Sequence, residues 1–108
     1  MIRKTRITVP CYVLYEKAAD KFFKAHEDLR KKYEEAVKEF YTGDHPEQID
    51  VKILRGKKGE YYRLRLGNWR VIYTTIEDSV FVINTYQAGS RGDIYKKLGG
   101  LKSLLSLL

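Results

Sequence analysis

The stretch Tyr61-Tyr62-Arg63-Leu64-Arg65-Leu66-Gly67-Asn68-Trp69-Arg70-Val71-Ile72-Tyr73 constrains the fold of this chain more than any other. It reads as a β-hairpin. Strand side chains alternate sides, so Arg63 and Arg65 project together while Tyr62, Leu64 and Leu66 face a core. Gly67-Asn68 is a two-residue turn of the kind that accommodates positive φ, and Arg70 returns on the partner strand. Three guanidiniums on a rigid sheet can grip a phosphate in bidentate fashion. A face built for solubility alone would mix signs, and this one does not.

The charge distribution sharpens that reading. The chain of 108 residues carries a net charge of +7, which points to an anionic partner. Residues 16–39 hold seven charges of each sign and cancel. Residues 52–70 hold Lys52, Arg55, Lys57, Lys58, Arg63, Arg65 and Arg70 against Glu60 alone. The excess therefore lies in the hairpin region, with Arg3, Lys4 and Arg6 adding to it at the N-terminal end.

The remaining pattern predicts one α+β domain over residues 1–108. Residues 7–15 are β-branched and aromatic around Pro10, which suits an edge strand. Over residues 16–41 apolar side chains recur at helical spacing, from Phe22 and Phe23 through Tyr33 and Val37 to Tyr41. The period allows one long helix or, equally, two with a break near His26-Glu27-Asp28, where Asp28 could cap the second. Asp20–Lys24 and Glu34–Lys38 are spaced for ion pairs along the exposed face. Gly43 and Pro46 end the helical part. Four strands follow, over 51–54, 60–66, 69–76 and 80–86, joined by short turns that imply antiparallel pairing. A loop over Gly89-Ser90-Arg91-Gly92 leads into a C-terminal helix over 93–108, weakened at Gly99-Gly100. The expected architecture is an N-terminal strand and one or two helices packed on a mainly antiparallel sheet of four to five strands, closed by that helix.

Other chemistries find little support. A single cysteine, Cys11, allows no internal disulfide and no cysteine-based zinc site. No metal site and no cofactor are expected. Nothing approaches an apolar run of about 18 residues, so no membrane partner is expected and the cytoplasm is the default location.

Three segments together resemble the RelE/ParE toxin superfamily of bacterial and archaeal toxin–antitoxin systems. They are Lys52-Ile53-Leu54-Arg55-Gly56, the hairpin from Tyr62 to Tyr73, and Gly89-Ser90-Arg91-Gly92-Asp93-Ile94-Tyr95. The hairpin is similar to the family's Y-[RK]-[LI]-[RK]-x-G-x-[YW]-R-[VL]-[IV]-Y pattern, and the last segment to its G-x-R-x-x-[VI]-Y pattern. The resemblance implies a RelE-like fold and a ribosome-dependent endoribonuclease that cuts messenger RNA in the A site. It implies a cognate antitoxin, with operator DNA contacted only through the antitoxin complex. ParE-type members share the fold and target DNA gyrase, generally without the full catalytic set, so a gyrase inhibitor is the alternative. A non-catalytic RNA- or antitoxin-binding relic is a third reading.

The resemblance places the catalytic set at Arg65, Arg70, Arg91 and Tyr95, and RNA binding at Lys52, Arg55, Lys57, Lys58 and Arg63. Metal-free RNA cleavage uses the 2′-hydroxyl as in-line nucleophile, and fixed guanidiniums suit the charge that builds on the phosphoryl oxygens. Arg70 and Arg91 are expected on the scissile phosphate, with Arg63 and Arg65 on the backbone. Tyr95 would stack on a base or move a proton. Arginine stays charged, so it supplies no general base. Without the motif, Arg63 and Arg65 read as a solvated strand face, Arg91 as a partner for Asp93, and Tyr95 as core packing.

Overall fold

The computed structural model describes residues 6–56 and 59–97. Among them a five-stranded mixed sheet carries three α-helices, an α+β arrangement. The elements run β1 (Cys11–Tyr15), α1 (Lys17–Lys24), α2 (Glu27–Thr42), a single 3-10 turn (Pro46–Gln48), β2 (Val51–Gly56), β3 (Gly59–Leu66), β4 (Trp69–Glu77), β5 (Phe81–Ser90) and α3 (Arg91–Lys97). The strand order is β1-β5-β4-β3-β2. The last four strands pair antiparallel in sequence order, while β1 joins β5 in parallel at the edge.

Two helices replace the single long one that the periodicity also allowed. The junction is His26, and Asp28 is not the cap. His26 Nδ1–H donates to the Phe22 carbonyl at 2.9 Å, serving an acceptor at the end of α1. The His26 carbonyl in turn accepts from the amides of Leu29 and Arg30, the first bonds of α2. The expected pair Asp20–Lys24 forms at 3.0 Å, whereas Glu34 engages Arg30 at 3.3 Å and the Tyr15 hydroxyl at 2.5 Å.

The helices bury Phe23, Tyr33, Ala36, Val37, Phe40 and Tyr41 against Leu64, Val71, Tyr73, Phe81, Ile83 and Ala88 of the sheet. Large side chains of this kind contribute roughly 1.5–3 kcal/mol each on burial. Their hydroxyls are served in pairs: Tyr41 with Tyr73 and Tyr33 with Thr85, both at 2.8 Å. The alternation expected in the hairpin holds, because Tyr62, Leu64 and Leu66 pack on this core.

Several boundaries move. The strand expected over 7–15 begins only at Cys11, after Pro10, whose carbonyl still accepts from the Phe81 amide at 2.8 Å. The strand expected to end at Tyr86 continues to Ser90, and a register shift explains why its pattern is hard to read. Tyr73 pairs with Thr85 and Ile72 with Gln87, so Tyr86 is an extra, bulged residue. The expected loop at 89–92 is instead the end of β5 and the start of α3. Residues 98–108 of the expected C-terminal helix lie outside the described residues.

Candidate anion-binding site

The hairpin turn sets the geometry. Gly67 takes φ of 58°, a left-handed conformation that glycine adopts without strain, and pairs Leu66 with Trp69. That register places Arg65 directly across from Arg70, on the sheet face away from the core cluster. The next row on the same face runs Lys52, Arg63, Ile72 and Gln87 across β2, β3, β4 and β5. Gly89 stands across from Arg70 on β5. A Cβ there would lie 3.3 Å from the Asp93 Cβ and 3.1 Å from the Lys97 Nζ, so the glycine lets α3 approach the sheet. Lys97 Nζ donates to the Ala88 carbonyl and sits 5.1 Å from the Phe22 ring centroid, tying α3 down. Ser90 Oγ accepts from the Asp93 amide at 3.2 Å, so Arg91 opens the helix directly beyond β5.

The face is solvated only in part. Arg63 is 5 % exposed and Arg70 is 6 % exposed, while Arg65 and Arg91 reach solvent. Leu54 and Ile72, which share the face by register, are fully buried. Arg70 Nη1 donates to the carbonyls of Gly67 at 3.0 Å and Trp69 at 3.1 Å, and Arg65 Nε donates to the same Gly67 carbonyl at 3.3 Å. Arg63 Nη1 lies 3.1 Å from Asp50 Oδ1, but off the line of a hydrogen bond. Arg63 Nε and Nη1 and Arg70 Nε are buried without a hydrogen-bond partner. Buried donors are rarely left in this state, and each costs roughly 1–3 kcal/mol.

Electrostatics show the same gathering of charge. Burial pushes Arg70 below the ordinary arginine value, and the positive charges of Arg65, Arg63 and Arg91 push it further down; Asp50 acts in the opposite direction. Three guanidiniums from β3 and α3 therefore act on that of Arg70, with the Asp50 carboxylate as a counter-charge. The arrangement presents N–H donors and positive field to an anion and holds them in place before it arrives.

Of the residues singled out from the sequence, Arg63, Arg65, Arg70 and Arg91 come together, and Lys52 joins them across from Arg63. Arg55 does not. Alternation along β2 turns it to the other face, and its Nε lies 3.6 Å from a Glu60 carboxylate oxygen. Lys57 and Lys58 lie outside the described residues. Tyr95 belongs to α3, and its side chain is likewise outside them. Sequence reasoning missed Asp50, whose carbonyl accepts from the Arg65 amide at 3.0 Å just ahead of β2. It also missed Tyr61, Tyr86 and Gln87 on the arginine face. The signal for Asp50 was its place as the last acid before a strand that pairs with the arginines.

No helix among the described residues is long and apolar enough to cross a membrane. Comparison of the chain with protein-family models, with curated proteins and with solved structures yields no match.

Proposed function

We propose that this chain is a RelE-type endoribonuclease toxin that cleaves messenger RNA on the ribosome and is held in check by a cognate antitoxin. The observation that carries the reading is the cluster of Arg63, Arg65, Arg70 and Arg91 with buried guanidinium donors left open. Such donors suit a phosphate, whose oxygens accept several N–H groups at once. The resemblance in the hairpin and around Arg91 supplies the substrate.

In this reading the exposed Arg65 and Arg91 contact the scissile phosphate, and the buried Arg63 and Arg70 supply fixed charge behind them. This exchanges the parts that Arg65 and Arg70 were expected to play, because little of Arg70 reaches solvent. The 2′-oxygen attacks phosphorus and the bond to the 5′-oxygen breaks. The products are a 2′,3′-cyclic phosphate and a 5′-hydroxyl, the proton of the nucleophile having passed to a base and one having reached the leaving oxygen. Arginines stabilise the charge in between and move no proton. The ribosome supplies the alignment that a site with no evident base among its described side chains needs.

The test is induction of the protein followed by mapping of mRNA 5′ ends. Translation should stop, with cuts inside translated codons. Arg65→Ala and Arg91→Ala should each lower single-turnover cleavage on programmed ribosomes roughly 10²–10³-fold. Continued translation with gyrase-linked DNA breaks would replace this reading with the gyrase inhibitor.

A further inference from the structure

We propose that the bulge in β5 builds a nucleobase subsite beside the guanidinium cluster: the tilted rings of Tyr61 and Tyr86 receive one base, stacked on one ring and against the other at its edge, and the Gln87 amide accepts an N–H from it. The inference rests on the reading of the cluster as an RNA-phosphate site.

A regular strand would send Tyr86 and Gln87 to opposite faces. The bulge places them otherwise. Gln87 pairs with Ile72, which itself pairs with Arg63, so the Gln87 side chain shares the arginine face. Tyr86, the extra residue, reaches the same face, where its ring centroid lies 5.6 Å from that of Tyr61 at an interplanar angle of 54°. Both rings are half-buried, with surface left to offer. Bulges commonly re-aim side chains at functional sites in this way.

The polar atom is the second observation. Gln87 Oε1 is buried and has no hydrogen-bond partner. It stands in the same row as Arg63, whose Nε is also without a hydrogen-bond partner. The row therefore holds an unused donor on β3 and an unused acceptor two strands away on β5. A nucleotide supplies what each lacks: phosphate oxygens for the guanidiniums and a ring or amino N–H for the amide. The spacing suits one nucleotide. Tyr61 is two residues from Arg63 along β3, roughly 7 Å, and Gln87 is two strands away from it, roughly 10 Å. Stacking on tyrosine tolerates any base, whereas the amide discriminates among their edges.

The experiment uses RNA trimers with 2′-O-methyl sugars, so that no cleavage intervenes, and abasic sugars at both ends. The central unit is one of the four bases or is abasic too. Binding to the full chain is measured by calorimetry at low salt. Wild type should favour a base-bearing trimer over the abasic one by roughly five- to a hundredfold. Tyr86→Leu should lose most of that preference, and Gln87→Leu should level the differences among the four bases. Arg65→Ala should weaken every trimer alike. Tyr61→Leu repeats the stacking test if Tyr86→Leu does not unfold cooperatively. Equal affinity of wild type for base-bearing and abasic trimers, with Arg65 dependence intact, overturns the subsite and leaves the phosphate reading standing. Absence of any Arg65-dependent binding overturns both.

Discussion

Replacing Arg70 by methionine should make the protein more stable while weakening its hold on anions. The side chain is 6 % exposed, its Nε has no partner, and Arg65, Arg63 and Arg91 all repel it. Exchanging buried charge for apolar volume is neutral or stabilising by about 1–4 kcal/mol. Against this stand two hydrogen bonds from Nη1, to Gly67 and Trp69, each worth roughly 1 kcal/mol net. The loss at Gly67 is partly offset, because that residue is exposed and its carbonyl also accepts from Arg65. The balance is a gain of about 1 kcal/mol, or a rise in Tm of roughly 4–8 °C. Thermal and urea unfolding in phosphate-free buffer measure it. Inorganic phosphate should then raise wild-type stability by about 1.4 kcal/mol at ten times its Kd and raise Arg70→Met by less at the same concentration, narrowing the gap. A variant less stable than wild type in phosphate-free buffer would refute the reasoning. It would mean that the guanidinium is there to hold the turn.

The buried hydroxyl pair offers a second test. Tyr41→Phe orphans the Tyr73 hydroxyl and should cost roughly 1–3 kcal/mol in urea unfolding, with most of it recovered by adding Tyr73→Phe; strictly additive losses would show that the two hydroxyls are not coupled. Alkaline pH tests the tyrosine core as a whole. Burial holds Tyr33 and Tyr73 well above the ordinary tyrosine value, so above pH about 10 the unfolded chain ionises where the folded one does not. The unfolded state then binds fewer protons, and stability should fall by about 1.4 kcal/mol per pH unit for each. Stability that stays flat to pH 11 in urea titrations would contradict this.

The hairpin was legible because two local signals agree there: the period-2 alternation of Tyr62, Leu64 and Leu66 with arginines, and a glycine where the turn needs positive φ. The antiparallel order of β2 to β5 followed from short turns. Parallel docking of β1 on β5 was not legible, since the partners are about 70 residues apart and no local pattern records the pairing. A helix break near His26 was one of the two readings the period allowed, but its cap was not legible for a related reason. A cap by Asp28 is a familiar local signal, whereas a ring nitrogen serving the preceding helix is specific to this packing. In β5 the bulge changes the phase of the alternation: Phe81, Ile83 and Thr85 face the core, and then Ala88 does. A period-2 reading ends the strand at that point.

The site was half legible, and the reason lies in what a charge pattern records. Sequence shows that Arg63, Arg65 and Arg70 share a face; it does not show that two of them are covered and one carboxylate stands beside them. That difference changes the physics. On an open face three arginines repel weakly through water and bind phosphate weakly. Partly withdrawn from water, the same charges repel more strongly, and their open donors carry a cost that an anion relieves. Such a cluster persists only where the backbone is held by something else. Here it is held by the other side of the same strands, where Leu64, Val71 and Tyr73 are fully buried. Each residue that carries charge on one face has neighbours in the chain that anchor the opposite face, so the alternation that builds the core also preloads the site. Asp50 limits how far this loading goes, because its carboxylate draws the Arg70 value upward against three arginines that push it down.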